Sequence, residues 1–176
     1  MYLSTLKIIT FMNRGDIMKD FKEIIEILSK NNETIATMES CTGGGVANAI
    51  TNIEGASNVL KFSAVTYSNE YKIKMGVDSN IIDKYSVYSI ETAHEMAKNI
   101  SDFANSTYGI GITGKLNRAD EANNFGADNE VFISIYHDGE YVDLSLIVDK
   151  KSRRENKDLV IDAIIDELGR VVNEKN

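Results

Sequence analysis

The chain has 176 residues, enough for one domain with a sizeable core. Its composition is 43% hydrophobic and 26% charged, with a net charge of −8, which argues against non-specific binding to nucleic acid or to an anionic membrane. A single cysteine excludes an intramolecular disulfide, two distant histidines make a structural zinc site improbable, and no apolar run is long enough to cross a bilayer. Residues 1–17 are expected to be a loose arm or an over-extended start, leaving 18–176 as one domain. No secretory signal is recognisable there and no cysteines pair, which points to the cytoplasm.

In chain order, Phe21, Ile24, Ile25, Ile27 and Leu28 recur at helical spacing and predict an amphipathic helix over 20–30. Residues 34–38 read as a short strand, 41–45 as a small-residue turn, and Val46 opens a second helix that ends before Glu54. Residues 59–68 are apolar and β-branched, the pattern of a buried strand. A short helix over 69–75 is closed by Gly76 at the position after its C-cap, and 80–85 makes another turn of helix. Ser89 is a good N-cap for a helix whose buried face is Ala93, Met96, Ala97, Ile100, Phe103 and Ala104. Residues 108–112 form a strand, and strands over 131–137 and 141–148 flank Asp138-Gly139, a hairpin signal. An amphipathic helix over 159–172 closes the chain. Helices alternating with strands, followed by a hairpin, indicate an α/β sandwich with a mixed sheet.

Four segments have chemical potential. Glu39-Ser40-Cys41-Thr42-Gly43-Gly44-Gly45 lies between a strand and a helix, where glycines admit a ligand to the backbone and helix N–H groups suit an oxyanion. A plain tight turn would use the same residues. The segment lacks the Gly-Lys-Ser/Thr ending of a P-loop. In the second segment, a cap at Ser68 would place Tyr67 and Lys72 facing each other across a helix start, or leave Lys72 as a surface side chain packed on Tyr67. The third is Thr113-Gly114, at a strand's carboxyl end. The fourth is the basic group Arg153, Arg154 and Lys157, suited to a phosphate, a solvated helix end or a subunit contact.

A serine nucleophile needs a base. His94 lies off the apolar stripe of its helix and His137 abuts a turn, so both are expected to face solvent and a Ser-His-Asp site is disfavoured. A buried lysine of lowered pKa can deprotonate serine instead, which makes Ser40 with Lys72 the consistent pair and Cys41 the rival nucleophile.

These motifs resemble a known family. Thr37-Met38-Glu39-Ser40-Cys41-Thr42-Gly43-Gly44 is similar to the Ala-Glu-Ser-Cys-Thr-Gly-Gly signature of the CinA C-terminal domain family, the nicotinamide-nucleotide amidases. Gly55-Ala56-Ser57 resembles its Gly-Ala-Ser, and Tyr67-Ser68-Asn69-Glu70-Tyr71-Lys72 its Tyr-Ser-Asn-Glu-x-Lys, with Gly76-Val77 following at the family's distance. The Ser89 helix and Ile112-Thr113-Gly114 also match in order.

The resemblance implies a three-layer α/β/α sandwich of a kind that often self-associates. It implies hydrolysis of nicotinamide mononucleotide to nicotinic acid mononucleotide and ammonia, within NAD metabolism, without cofactor or metal. Its catalytic serine, lysine and tyrosine fall on Ser40, Lys72 and Tyr67. Substrate contacts fall on Glu39, Cys41, Thr42, Gly43, Gly44, Thr113, Gly114 and Arg153. The implied partner is a pyridine nucleotide, with neither nucleic acid nor membrane. After Gly114 the family continues with Gly-Pro and further glycines, whereas this chain reads Lys115-Leu116-Asn117-Arg118-Ala119-Asp120-Glu121-Ala122-Asn123-Asn124. That loop motivates the alternative expectations: a non-catalytic nucleotide-binding or regulatory protein on the same scaffold, or Ser-Lys chemistry on another amide or ester.

Overall fold

The computed structural model describes residues 7–9, by their backbone, and 20–174. Among these residues the strands are β1 (Lys7–Ile9), β2 (Ile35–Glu39), β3 (Leu60–Val65), β4 (Tyr108–Gly114), β5 (Glu130–His137) and β6 (Glu140–Ile147). They form one mixed sheet in the order β1-β6-β5-β4-β2-β3. β2 runs parallel to both β3 and β4, whereas β5 pairs antiparallel with β4 and β6. The helices are α1 (Lys22–Asn31), α2 (Gly45–Thr51), α3 (Asn69–Lys74), α4 (Ser79–Tyr85), α5 (Ile90–Ala104) and α6 (Arg153–Asn173).

Alternation along the buried strands builds two cores. Ile35, Ile110, Ile112, Ile133 and Leu144 point to one face, where they meet Ile24 and Leu28 of α1, Val46 of α2 and Ile164 and Leu168 of α6. Ala36 and Met38 point to the other face and meet Ile82 of α4 and Met96 and Ile100 of α5. This is the three-layer α/β/α sandwich with a mixed sheet. β4 is pressed hard against α5: a Cβ on Gly111 would lie 2.2 Å from the Ala93 carbonyl oxygen, so only glycine allows the helix to approach this closely.

Several elements differ from expectation. The segment over 59–68 is the outer strand of the sheet, not a buried one; Phe62 and Val65 are 38% and 52% exposed. Phe103, expected on the buried face of α5, is exposed and tilts against Phe62, with ring centroids 5.1 Å apart. α6 begins at Arg153, well before residue 159, because Ser152 and Glu155 form a capping box. Within the expected N-terminal arm, β1 pairs parallel with β6; the remainder of residues 1–17 lies outside the described residues. The hairpin turn follows its sequence signal, with Asp138 and Gly139 at φ 50° and 85°.

Candidate functional site

Ser40 sits one residue beyond the carboxyl end of β2, Thr66 one beyond β3, and Lys115 one beyond β4. The ladder continues past the strands: Ser40 N–H donates to the Ile112 carbonyl (3.0 Å), and Thr66 N–H donates to the Glu39 carbonyl (2.8 Å). The parallel strands thus deliver three chain segments to one sheet edge, where open α/β folds bind ligands.

The turn after Ser40 is held by Glu39. This fully buried carboxylate accepts N–H bonds from Gly44 (3.0 Å), Val46 (3.1 Å) and Ala47 (2.8 Å), so it satisfies the start of α2 from inside the fold. Gly44 is the N-cap of α2 at φ 90°, a conformation open to glycine. Gly43 N–H is committed to the Ser40 carbonyl (3.0 Å). The N–H groups of Cys41 and Thr42 have no backbone acceptor among the described residues.

Lys72 arrives from α3. Ser68 caps that helix by accepting from Tyr71 N–H (3.3 Å), which sets Lys72 at the fourth helical position. The lysine is 1% exposed. Its Nζ donates to Ser40 Oγ (3.0 Å) and to the Thr66 carbonyl (2.8 Å). Burial lowers its pKa to about 8, with the neighbouring Cys41 acting weakly in the opposite direction. Burial pushes the Cys41 thiol up to about 12, with Lys72 a smaller opposing influence. Cys41 therefore stays a neutral thiol near pH 7, unsuited to nucleophilic attack. Of the two rival nucleophiles, Ser40 is the one whose side chain is hydrogen-bonded to Lys72.

Ser40 and Lys72 face a cavity of about 880 Å³, which Cys41, Tyr67, Gly114 and Arg153 also line. Tyr67 and Lys72 border the same cavity, with no hydrogen bond between them among the described residues. Tyr67 is 64% exposed, and its hydroxyl accepts from Arg153 Nη2 at 3.4 Å. The capping box of α6 brings Arg153 to this place, in the first turn of the helix.

The other expected contacts lie elsewhere. Glu39 is spent on α2. Thr113 Oγ1 donates to the Val87 carbonyl (2.8 Å), behind the wall rather than on it. Thr42, Gly43 and Gly44 line a separate recess of about 550 Å³ with Arg154 and Lys157. His94 is not simply solvated: its Nε2 lies 2.7 Å from Asp143 Oδ2 and its ring stacks on Tyr141. His137 packs against Tyr108, with centroids 4.5 Å apart. Neither histidine borders the Ser40 cavity.

Sequence reasoning assigned no role to much of the remaining wall. Tyr88, Lys115, Leu116, Arg118, Asp120 and Asn123 all border the cavity. The Tyr88 hydroxyl donates to Asp120, which pins the 115–124 loop over the site. Lys115 is buried, its Nζ 3.1 Å from Asp128 Oδ1 and 5.3 Å from the centre of the Tyr88 ring. The departure of 115–124 from the resembled pattern was the available signal for this loop. Tyr88 had none beyond its place beside the Ser89 cap. Among the described residues no three His, Cys, Asp or Glu side chains gather as they would around a metal ion, and no helix is long and apolar enough to cross a membrane.

Known proteins resemble this chain at the level of sequence and of fold. A provisionally named competence-damage inducible protein of Caldanaerobacter subterraneus subsp. tengcongensis is 47% identical over 92 residues, 52% of this chain and 22% of that protein. A CinA-like protein of Kosmotoga olearia is 44% identical over 92 residues, again 52% and 22%. The chain thus matches less than a quarter of the length of these relatives. The crystal structure of a CinA superfamily protein from Klebsiella pneumoniae 700603 superimposes with a TM-score of 0.80 at 19% identity, covering 87% of this chain and 95% of that one. A competence or damage-inducible protein from Enterobacter asburiae gives 0.79 at 22% identity, covering 85% and 94%. These two likenesses speak for the fold. A family model described as CinA C-terminal domain matches residues 19–172, so the chain belongs to the CinA C-terminal domain family.

Proposed function

We propose that the chain is an amidohydrolase that converts nicotinamide mononucleotide to nicotinic acid mononucleotide and ammonia. The observation that carries the reading is the buried contact of Lys72 Nζ with Ser40 Oγ at the floor of a cavity large enough for a mononucleotide. Lys72 in its neutral form takes the Ser40 proton as Oγ attacks the carboxamide carbon. The N–H of Cys41, which borders the cavity and has no backbone acceptor among the described residues, is the donor for the developing oxyanion. The ammonium then returns its proton to departing ammonia. Water, deprotonated by Lys72, attacks the acyl carbon; the C–Oγ bond breaks, Lys72 returns the proton to Ser40 Oγ, and the acid leaves as its carboxylate. In this arrangement Tyr67 acts beside Arg153 at the rim, as a substrate contact rather than as a relay to Lys72.

The test is ammonia release from nicotinamide mononucleotide by the purified chain, beside Ser40→Ala and Lys72→Ala. Turnover that falls at least about a thousandfold in both variants supports the reading. A folded native chain without turnover at high enzyme concentration overturns it.

A further inference from the structure

Basic side chains outnumber acidic ones on the cavity wall, the reverse of the chain as a whole. The chain carries a net charge of −8, yet Lys72, Lys115, Arg118 and Arg153 all border this one space, opposed there only by Asp120 and Glu121. A cleft of one sign focuses the field toward a ligand of the other.

Most of these charges already have partners. Lys72 is bound to Ser40 and Thr66, and Lys115 to Asp128. Asp120 accepts from the Tyr88 hydroxyl, the Asn123 amide (2.9 Å) and Ala122 N–H (3.0 Å). Those bonds, Tyr88 first, hold its carboxyl below the usual range, so its negative charge is already surrounded by donors. Arg153 has one long contact, to Tyr67. The Arg118 guanidinium has no hydrogen-bond or ion-pair partner among the described residues, while its backbone is fixed by N–H donation to the Asp128 carbonyl (3.0 Å). An anchored backbone with a free planar fork, on the wall of a cavity that a second arginine also borders, suits bidentate capture of a phosphate monoester.

We infer that Arg118, acting with Arg153, is a specificity-determining residue that holds the substrate's phosphate group at the rim of the cavity. The inference rests on the amidase reading for the rest of the ligand. It gives the 115–124 loop a positive function: where the chain departs from the family pattern it supplies a guanidinium of its own.

The experiment is calorimetric titration, with Ser40→Ala carried in every protein so that no ligand is consumed, of the chain native at 118, Arg118→Gln and Arg118→Lys with three probes: nicotinamide mononucleotide, nicotinamide riboside and inorganic phosphate. The chain native at 118 is expected to prefer the mononucleotide to the riboside. Arg118→Gln should weaken mononucleotide binding roughly tenfold to a hundredfold. Riboside binding should be unchanged, and Arg118→Lys should restore part of the loss. Because the side chain is exposed and unpartnered, all three proteins should melt alike. Arg118→Gln that binds the mononucleotide as the chain native at 118 does overturns the inference and leaves the amidase reading standing. If the chain native at 118 binds neither pyridine compound, the amidase reading falls. Phosphate binding that weakens in Arg118→Gln would then still support the anion site, and phosphate binding that does not would sink it.

Discussion

The Thr66 carbonyl fixes Lys72 at 2.8 Å, six residues away in the chain, and leaves the lysine's remaining reach for Ser40. A carbonyl can only accept, so it holds Nζ in one place whether the lysine is charged or neutral. Its strand ends at Val65, and Thr66 N–H is itself held by the Glu39 carbonyl. The position of the Lys72 amine is therefore set by the sheet as well as by the short helix that carries it.

This places a limb on the pH profile. In the proposed mechanism Lys72 must lose its proton before it can accept one from Ser40, and burial lowers its pKa to about 8. At pH 7 only about one molecule in ten has the base ready. We expect kcat/KM to rise close to tenfold per pH unit below about 8 and to level above it. A profile flat from pH 6 to 9 would remove Lys72 from the role of base.

The same burial has a thermodynamic signature. Lowering the lysine from 10.5 to about 8 corresponds to about 3 kcal/mol of penalty on the charged form. Between those two pH values the unfolded chain binds a proton that the folded chain does not, so stability rises with pH across that window. The contribution is fully present above 10.5 and is lost as pH falls through about 8. Lys72→Met should lack the rise. Urea unfolding of both proteins at pH 7 and pH 10 measures the difference. Parallel behaviour of the two would contradict a buried, depressed lysine.

Glu39 gives a separate expectation. Glu39→Ala leaves three helix-start N–H groups inside the fold without their acceptor. Each was bonded to a charged group, so we expect a loss of about 3 kcal/mol or more, with a fall in kcat as the Ser40 turn loosens. Glu39→Gln should recover part of both, since one side-chain oxygen remains to accept. Thermal melting and turnover of the two variants check this. An unchanged melting temperature in Glu39→Ala would show that the carboxylate is not what orders the turn.

On the opposite face of the sheet, His94→Ala would strand Asp143, which is 1% exposed. Breaking a fully buried pair costs about 3–5 kcal/mol; the 25% exposure of His94 lowers our expectation to about 2–3 kcal/mol. Turnover in the surviving folded fraction should be native, because neither residue borders the cavity. A double-mutant cycle with Asp143→Asn isolates the coupling. Coupling near zero would reduce the contact to a surface pair.

Much of this architecture is legible in the sequence, for identifiable reasons. The Ser40 turn is short-range information: small residues between a buried strand and a helix have few other uses. Ser68 and Ser89 announce their helices because a cap acts within three residues. Ser152 and Glu155 carry the same kind of signal for α6, and apolar periodicity alone missed it because the helix opens with a polar turn. What sequence does not encode locally is lateral order. β3 is apolar enough for a central strand, and only the sheet order leaves Phe62 and Val65 half in water. His94 and Asp143 are 49 residues apart, and nothing in the helix pattern marks the partner. The 115–124 loop has neither period nor cap, so its bond from Tyr88 to Asp120 appears only once the chain is folded.

The attachment of that loop has a further consequence. Ser40 follows β2 and Lys72 lies on α3, whereas residues 115–129 connect β4 to β5 and are held by Lys115 to Asp128, Arg118 to the Asp128 carbonyl, Tyr88 to Asp120 and Asn117 to the Lys150 carbonyl, none of which involves Ser40 or Lys72. Mutation can therefore rewrite the loop without disturbing the hydroxyl and the amine. On the proposed function, ligand choice and bond-breaking lie on separate parts of the chain, and a loop transplanted between relatives should carry its preference with it.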